Sequence, residues 1–105
     1  MENGVDLTLT NIHGLTPLTY ACRKRDEAKV KFLLDKGVSI NERNKNRDTP
    51  LIVACIHSYD DIVRVLIDHG ADTNMEDCYG DTPLMFSCRK RNNVIVKMLV
   101  DHKAD

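Results

Sequence analysis

The chain of 105 residues has no tryptophan, two phenylalanines and three tyrosines. A core without large aromatic plates has to be assembled from many small aliphatic contacts, which suits thin stacked layers better than one thick centre. Neither sign of charge dominates: 15 Lys and Arg stand against 16 Asp and Glu, a net charge of −1. That balance argues against a dedicated nucleic-acid binder, which is usually strongly basic. No apolar run approaches the roughly 20 residues that cross a bilayer, and the opening Met1-Glu2-Asn3-Gly4 lacks the basic and apolar regions of a secretory leader. Asn-x-Ser/Thr acceptor sites are absent too. These absences predict an intracellular chain, cytoplasmic or nuclear, that engages neither membrane nor nucleic acid.

What the sequence does contain is itself, three times over. Thr-Pro-Leu occurs at Thr16-Pro17-Leu18, Thr49-Pro50-Leu51 and Thr82-Pro83-Leu84, at intervals of 33 residues. The same offset superimposes Cys22, Cys55 and Cys88, then Val30, Val63 and Val96, then Leu33, Leu66 and Leu99. A fixed period of this length marks a stacked array.

Each unit reads as two short helices. Thr16 is a good N-cap, and Pro17 suits the first helical position because its missing N–H would be unpaired there anyway. Leu18, Ala21 and Cys22 form a narrow apolar stripe at i, i+3 and i+4. A polar break follows at Arg25-Asp26, Ser58-Tyr59 and Arg91-Asn92. The second helix carries Val30, Leu33 and Leu34 and ends at Gly37, as its counterpart ends at Gly70, where a left-handed residue is expected. Polar turns such as Asn41 to Asp48 lead to the next unit. No helix pair buries its stripe alone, so each needs its neighbour as a wall.

This pattern resembles the ankyrin repeat. Gly14, Thr16 to Leu18, Ala21, Leu33, Leu34, Gly37 and Asn41 carry the likeness in the first unit; Thr49 to Leu51, Ala54, Val63, Leu66 and Gly70 to Asn74 carry it in the second. The resemblance implies an all-α solenoid of stacked helix–turn–helix units with hairpin-like turns. One domain would span 1–105, with repeats at about 11–43, 44–76 and 77–105 and residues 1–10 as the tail of a preceding repeat. Two departures stand out. The family's His after Thr-Pro-Leu is replaced by Thr19, Ile52 and Met85, and the Gly between its helices by Arg25, Ser58 and Arg91. A left-handed backbone there costs about 1 kcal/mol for each non-glycine residue, so the domain is expected to be less stable than an idealised repeat protein. Asn41 and Asn74 match the family's hairpin Asn and are expected to bond their own turns.

Gly4-Val5-Asp6 aligns with the hinges at Gly37 and Gly70, and Lys103-Ala104-Asp105 with the next. Without units of capping character, the chain is expected to be a segment of a longer array or to have its ends covered. End-to-end association is the corresponding alternative to a monomer. The third unit is expected to expose parts of Met85, Ile95 and Met98.

The cysteines and histidines form no catalytic or metal-binding pattern. Cys22, Cys55 and Cys88 occupy one repeated position, read as small and buried, and helices about 8–10 Å apart keep them beyond the roughly 7 Å that a disulfide spans. Cys78 falls in a turn and is expected to be exposed. Asp60-Asp61 opens a helix, where acidic residues complement the dipole. No cofactor, no metal and no enzymatic activity are expected.

In the family, partners dock on the concave side formed by turn tips and first helices. The resemblance therefore implies contact positions at Ile12, His13 and Leu15, at Lys45, Asn46 and Asp48, and at Cys78, Tyr79 and Asp81. On the helices it implies Arg23 and Lys24, Ile56 and His57, and Arg89 and Lys90. Two equivalent basic runs, Arg23-Lys24-Arg25 and Arg89-Lys90-Arg91, are expected to flank Ile56 and His57, giving a groove apolar at its centre and basic at its rim. The expected role is a noncatalytic protein-interaction module for a partner with an acidic face. The alternative is a substrate-targeting segment of a larger multidomain enzyme or a ubiquitin-ligase-type adaptor. On a plainer reading, the basic residues serve only helix dipoles and solubility.

Overall fold

The computed structural model describes residues 16–102. Six helices follow one another: α1 (Pro17–Arg23), α2 (Glu27–Asp35), α3 (Pro50–Ile56), α4 (Asp60–Asp68), α5 (Pro83–Arg89) and α6 (Asn93–Asp101). Each first helix begins in the same way. Thr16, Thr49 and Thr82 accept a hydrogen bond on their side-chain oxygen from the backbone N–H of Thr19, Ile52 and Met85, at 3.2, 3.2 and 3.3 Å. Proline occupies the position after each cap. The second helices are capped individually, by Asp26 on Lys29 N–H and by Asn92 on Ile95 N–H. The α4 helix has no side-chain cap but carries Asp60 and Asp61 in its first turn, where carboxylates offset the unpaired N–H groups.

All five described helix ends inside the array close with one device. Arg25 N–H reaches Cys22 C=O and Asp26 N–H reaches Ala21 C=O, both at 3.0 Å. That paired arrangement requires a left-handed residue just beyond the cap. Arg25, Ser58 and Arg91 supply it after the first helices at φ 57°, 57° and 56°, and Gly37 and Gly70 supply it after the second at 87° and 89°. The turn residue Arg47, 33 residues before Gly80, is also left-handed, at φ 66°.

Packing runs between layers. The α1, α3 and α5 helices form one row, α2, α4 and α6 the other, with contacts inside each pair and between neighbours along each row. The described body is elongated, 41 × 25 × 19 Å. The middle unit is covered on both sides: Leu51, Ile52, Ala54, Cys55, Ile62, Val63 and Leu66 are all buried. Thr19, standing where the family has His, turns its hydroxyl back to donate to Thr16 C=O at 3.1 Å, while Ile52 is simply packed.

Three expectations need correcting. Cys22 and Cys55 are buried, but Cys88 is exposed, because no further described helix pair lies against α5 at that position. Met85 is 45% exposed as expected, whereas Ile95 and Met98 are buried. They are the equivalents of Ile62 and Val65 and face back into the core beneath the second unit; Val94 and Val100 carry the exposed apolar surface instead. Finally, Asn41 does not bond its own turn: its side-chain oxygen accepts from Asp72 N–H at 2.9 Å, tying one hinge to the next.

Candidate partner-binding surface

The turn tips before α3 and α5 are built alike. The Asn44 side-chain oxygen accepts from Asn46 and Asp48 N–H at 2.8 and 3.0 Å. One period later, Asp77 accepts from Tyr79 and Asp81 N–H at 2.8 and 2.9 Å. These carboxamide- and carboxylate-pinned turns project Asn46, Asp48, Tyr79 and Asp81 beside the first helices.

Between tips and helices lie two shallow depressions. One, of about 320 Å³, sits where the first and second units meet and is lined by Arg23, Asn44, Val53 and His57. The other, of about 370 Å³, sits where the second and third units meet and is lined by Asp77, Cys78, Tyr79, Asp81 and Phe86. Asn46, Asp48 and Ile56 belong to both, so the two are continuous across the middle unit. Tyr79 is 85% exposed.

The two halves differ in charge. In the first, His57 stacks on Tyr59 with ring centroids 5.2 Å apart. Partial burial, then the charges of Arg23 and Lys90, hold its imidazole below the ordinary pKa. In the second, Arg89 pairs with Asp81 at 3.1 Å and lies over the Phe86 ring at 5.1 Å. The Asp48 carboxyl is held above the usual carboxylate range, first by partial burial and then by the charge of Asp77. The surface thus contains carboxylates as well as the anticipated cations.

Of the anticipated contact positions, Asn46, Asp48, Ile56, His57, Cys78, Tyr79, Asp81 and Arg23 line this surface. Lys90 reaches it through its charge on His57, and Arg89 through Asp81. Lys24 turns away, over the Tyr20 ring at 5.6 Å, and exposed Lys45 lines neither depression. Ile12, His13 and Leu15 lie outside the described residues. Asn44, Val53, Asp77 and Phe86 were missed. The 33-residue offset between Asn44 and Asp77 was the available signal, since two Asx residues in one turn position mark side chains that organise a tip.

Several other polar side chains have structural partners. His69 and His102 each place Nδ1 at 2.8 Å from the carbonyl four residues back, Val65 and Met98. On the opposite edge, Arg25 pairs with Asp61 at 3.2 Å and lies over the Tyr59 ring at 4.9 Å. Asn92 donates to Asp60 at 2.8 Å. Burial pushes the Cys22 and Cys55 thiols up to about 12, which leaves them inert.

The family model for ankyrin repeats (three copies) matches residues 1–77 and 29–105, two overlapping spans that cover the whole chain. The protein belongs to the ankyrin-repeat family. Ankyrin repeats are in general protein–protein interaction modules, and domains made of them are typically noncatalytic. No curated protein matches the chain. Among the described residues no helix is long and apolar enough to cross a membrane.

Proposed function

We propose that the chain is a noncatalytic module that binds a partner protein through the concave face of its three repeats, at about 11–43, 44–76 and 77–105. The observation that carries this reading is the continuity of the two depressions through Ile56, Asn46 and Asp48. Together they present one partly apolar surface touched by all three units. Ile56 and the exposed Tyr79 act as anchors, since buried aromatic and aliphatic contacts at the centre of an interface carry most of its energy. Arg23 and Lys90, whose charges both fall on His57, attract an acidic partner segment there and set its rate of approach.

The test starts with affinity capture on the immobilised chain to obtain a partner, followed by association kinetics with the purified pair. Reversing both charges, Arg23→Glu with Lys90→Glu, is expected to slow association by roughly tenfold or more while leaving the helical circular dichroism intact. An unchanged association rate would remove the concave basic site from consideration.

A further inference from the structure

The concave face is electrically polar along the stack, and that polarity specifies more than an acidic partner. Asp81 is neutralised by Arg89 at 3.1 Å. Asp77 spends one carboxylate oxygen on two backbone N–H groups. The Asp48 side chain accepts no hydrogen bond among the described residues; only its backbone is engaged, its N–H donating to the Asn44 side-chain oxygen and its C=O accepting from Asn44 N–H. Asp48 and Asp77 therefore leave negative charge facing the second depression. Ile56, Tyr79 and Phe86 give it an apolar and aromatic wall beside Asn46 and Cys78. A methylene stem tipped by a cation suits such a lining, because the stem covers apolar surface while the head meets carboxylate and ring. The first depression shares Asp48 but has no second carboxylate, and Arg23 and His57 stand on its wall instead.

Resting on the concave-face reading above, we propose that the occupant is an extended peptide segment of a partner protein carrying one acidic and one basic residue three positions apart. The acidic side chain faces Arg23 and His57, the basic one faces Asp48 and Asp77, and the intervening backbone crosses Ile56. The spacing follows from the stack. Neighbouring helices pack about 8–10 Å apart, and a polyproline II segment returns a side chain to the same face every three residues, about 9.3 Å on. A partly buried carboxylate repelled by its neighbour, as Asp48 is by Asp77, gains most from a fixed cation.

A randomised peptide library displayed against the immobilised full chain tests this. Enriched peptides are expected to pair Asp or Glu with Lys or Arg at a spacing of three. For a selected synthetic peptide, followed by fluorescence anisotropy, Asp48→Lys is expected to weaken binding by roughly tenfold or more. Changing the peptide's basic residue to Glu is expected to restore binding to that variant. Asp48→Asn keeps the side-chain shape and the backbone bond to Asn44, so it gives a smaller loss in the same direction even if Asp48→Lys fails to fold. Enriched peptides that are only acidic, lost on Arg23→Glu but indifferent to both Asp48 variants, would overturn the polar register while leaving the concave site standing. Peptides indifferent to every one of these substitutions, or no enrichment at all, would overturn both.

Discussion

Arg25, Ser58 and Arg91 hold the left-handed backbone that closes each first helix, a conformation that costs an ordinary L-residue roughly 1–2 kcal/mol. Arg25 offsets part of that through Tyr59 and Asp61, so Ser58 is the cleaner place to test it. Ser58→Gly is expected to raise unfolding free energy in urea by about 0.5–1 kcal/mol, the relief of strain exceeding the extra entropy of an unfolded glycine. Gly70→Ala, with no atom near the added methyl but φ at 89°, is expected to lower it by about 1 kcal/mol. The first set of positions was legible in the sequence because a family glycine is replaced there. Arg47 was not: only its offset from Gly80 betrays the same backbone, and a basic residue in a polar turn attracts no notice.

His57 also acts at this scale. Its pKa is lowered in the folded chain by partial burial and by Arg23 and Lys90, so the unfolded chain binds its proton more readily. The sign follows: the contribution is present above the unfolded value of about 6.5 and is lost as pH falls from there through the lower folded value. His57→Gln is expected to flatten the pH dependence of stability between neutral pH and the acid side of that value, measured by urea midpoints. An unaltered slope would mean that neither burial nor the neighbouring cations lower the pKa of this ring.

At the scale of the element, helix starts and stops were readable before any coordinates. Threonine before proline and glycine after the apolar stripe are local signals whose chemistry needs no tertiary context. Thr49 is buried and caps α3 through Ile52 N–H. Thr49→Ala is expected to cost about 1–2 kcal/mol, read as a shift of the urea midpoint; a loss within about 0.5 kcal/mol, the usual range for surface changes, would show that proline alone holds the helix start. The cross-unit bonds were not readable. Arg25 with Asp61, Asn92 with Asp60 and Asn41 with Asp72 join residues more than thirty apart in sequence, and only the stacking brings them together. The same limit hid the acid-lined half of the binding surface: Asp77 reads as a turn former, and its place beside Asp48 depends on how one tip sits against the next.

Over the whole molecule, periodicity predicts which positions are equivalent, yet burial depends on neighbours. Ile52, Cys55 and Ile67 are covered; their counterparts Met85, Cys88 and Val100 are exposed. A one-dimensional stack has this property, because each layer's stability is largely its contact with the adjoining layers. In the native protein, an alkylating reagent is expected to modify Cys78 and Cys88 rapidly while Cys22 and Cys55 react only through opening. Mass spectrometry after a short exposure distinguishes the two classes, and rapid labelling of all four would contradict the packing.

Those two enclosed thiols have a use beyond filling space. Cys22 lies on the helix that packs against α3, and Cys55 on the helix that packs against α5. Each is shut in by one seam of the stack, and with pKa values near 12 neither reacts until its seam parts. They are clocks already wound into the chain, one per seam. If the third layer peels away first, the Cys55 clock starts while the Cys22 clock stays silent, and the order of parting is recorded without any added probe.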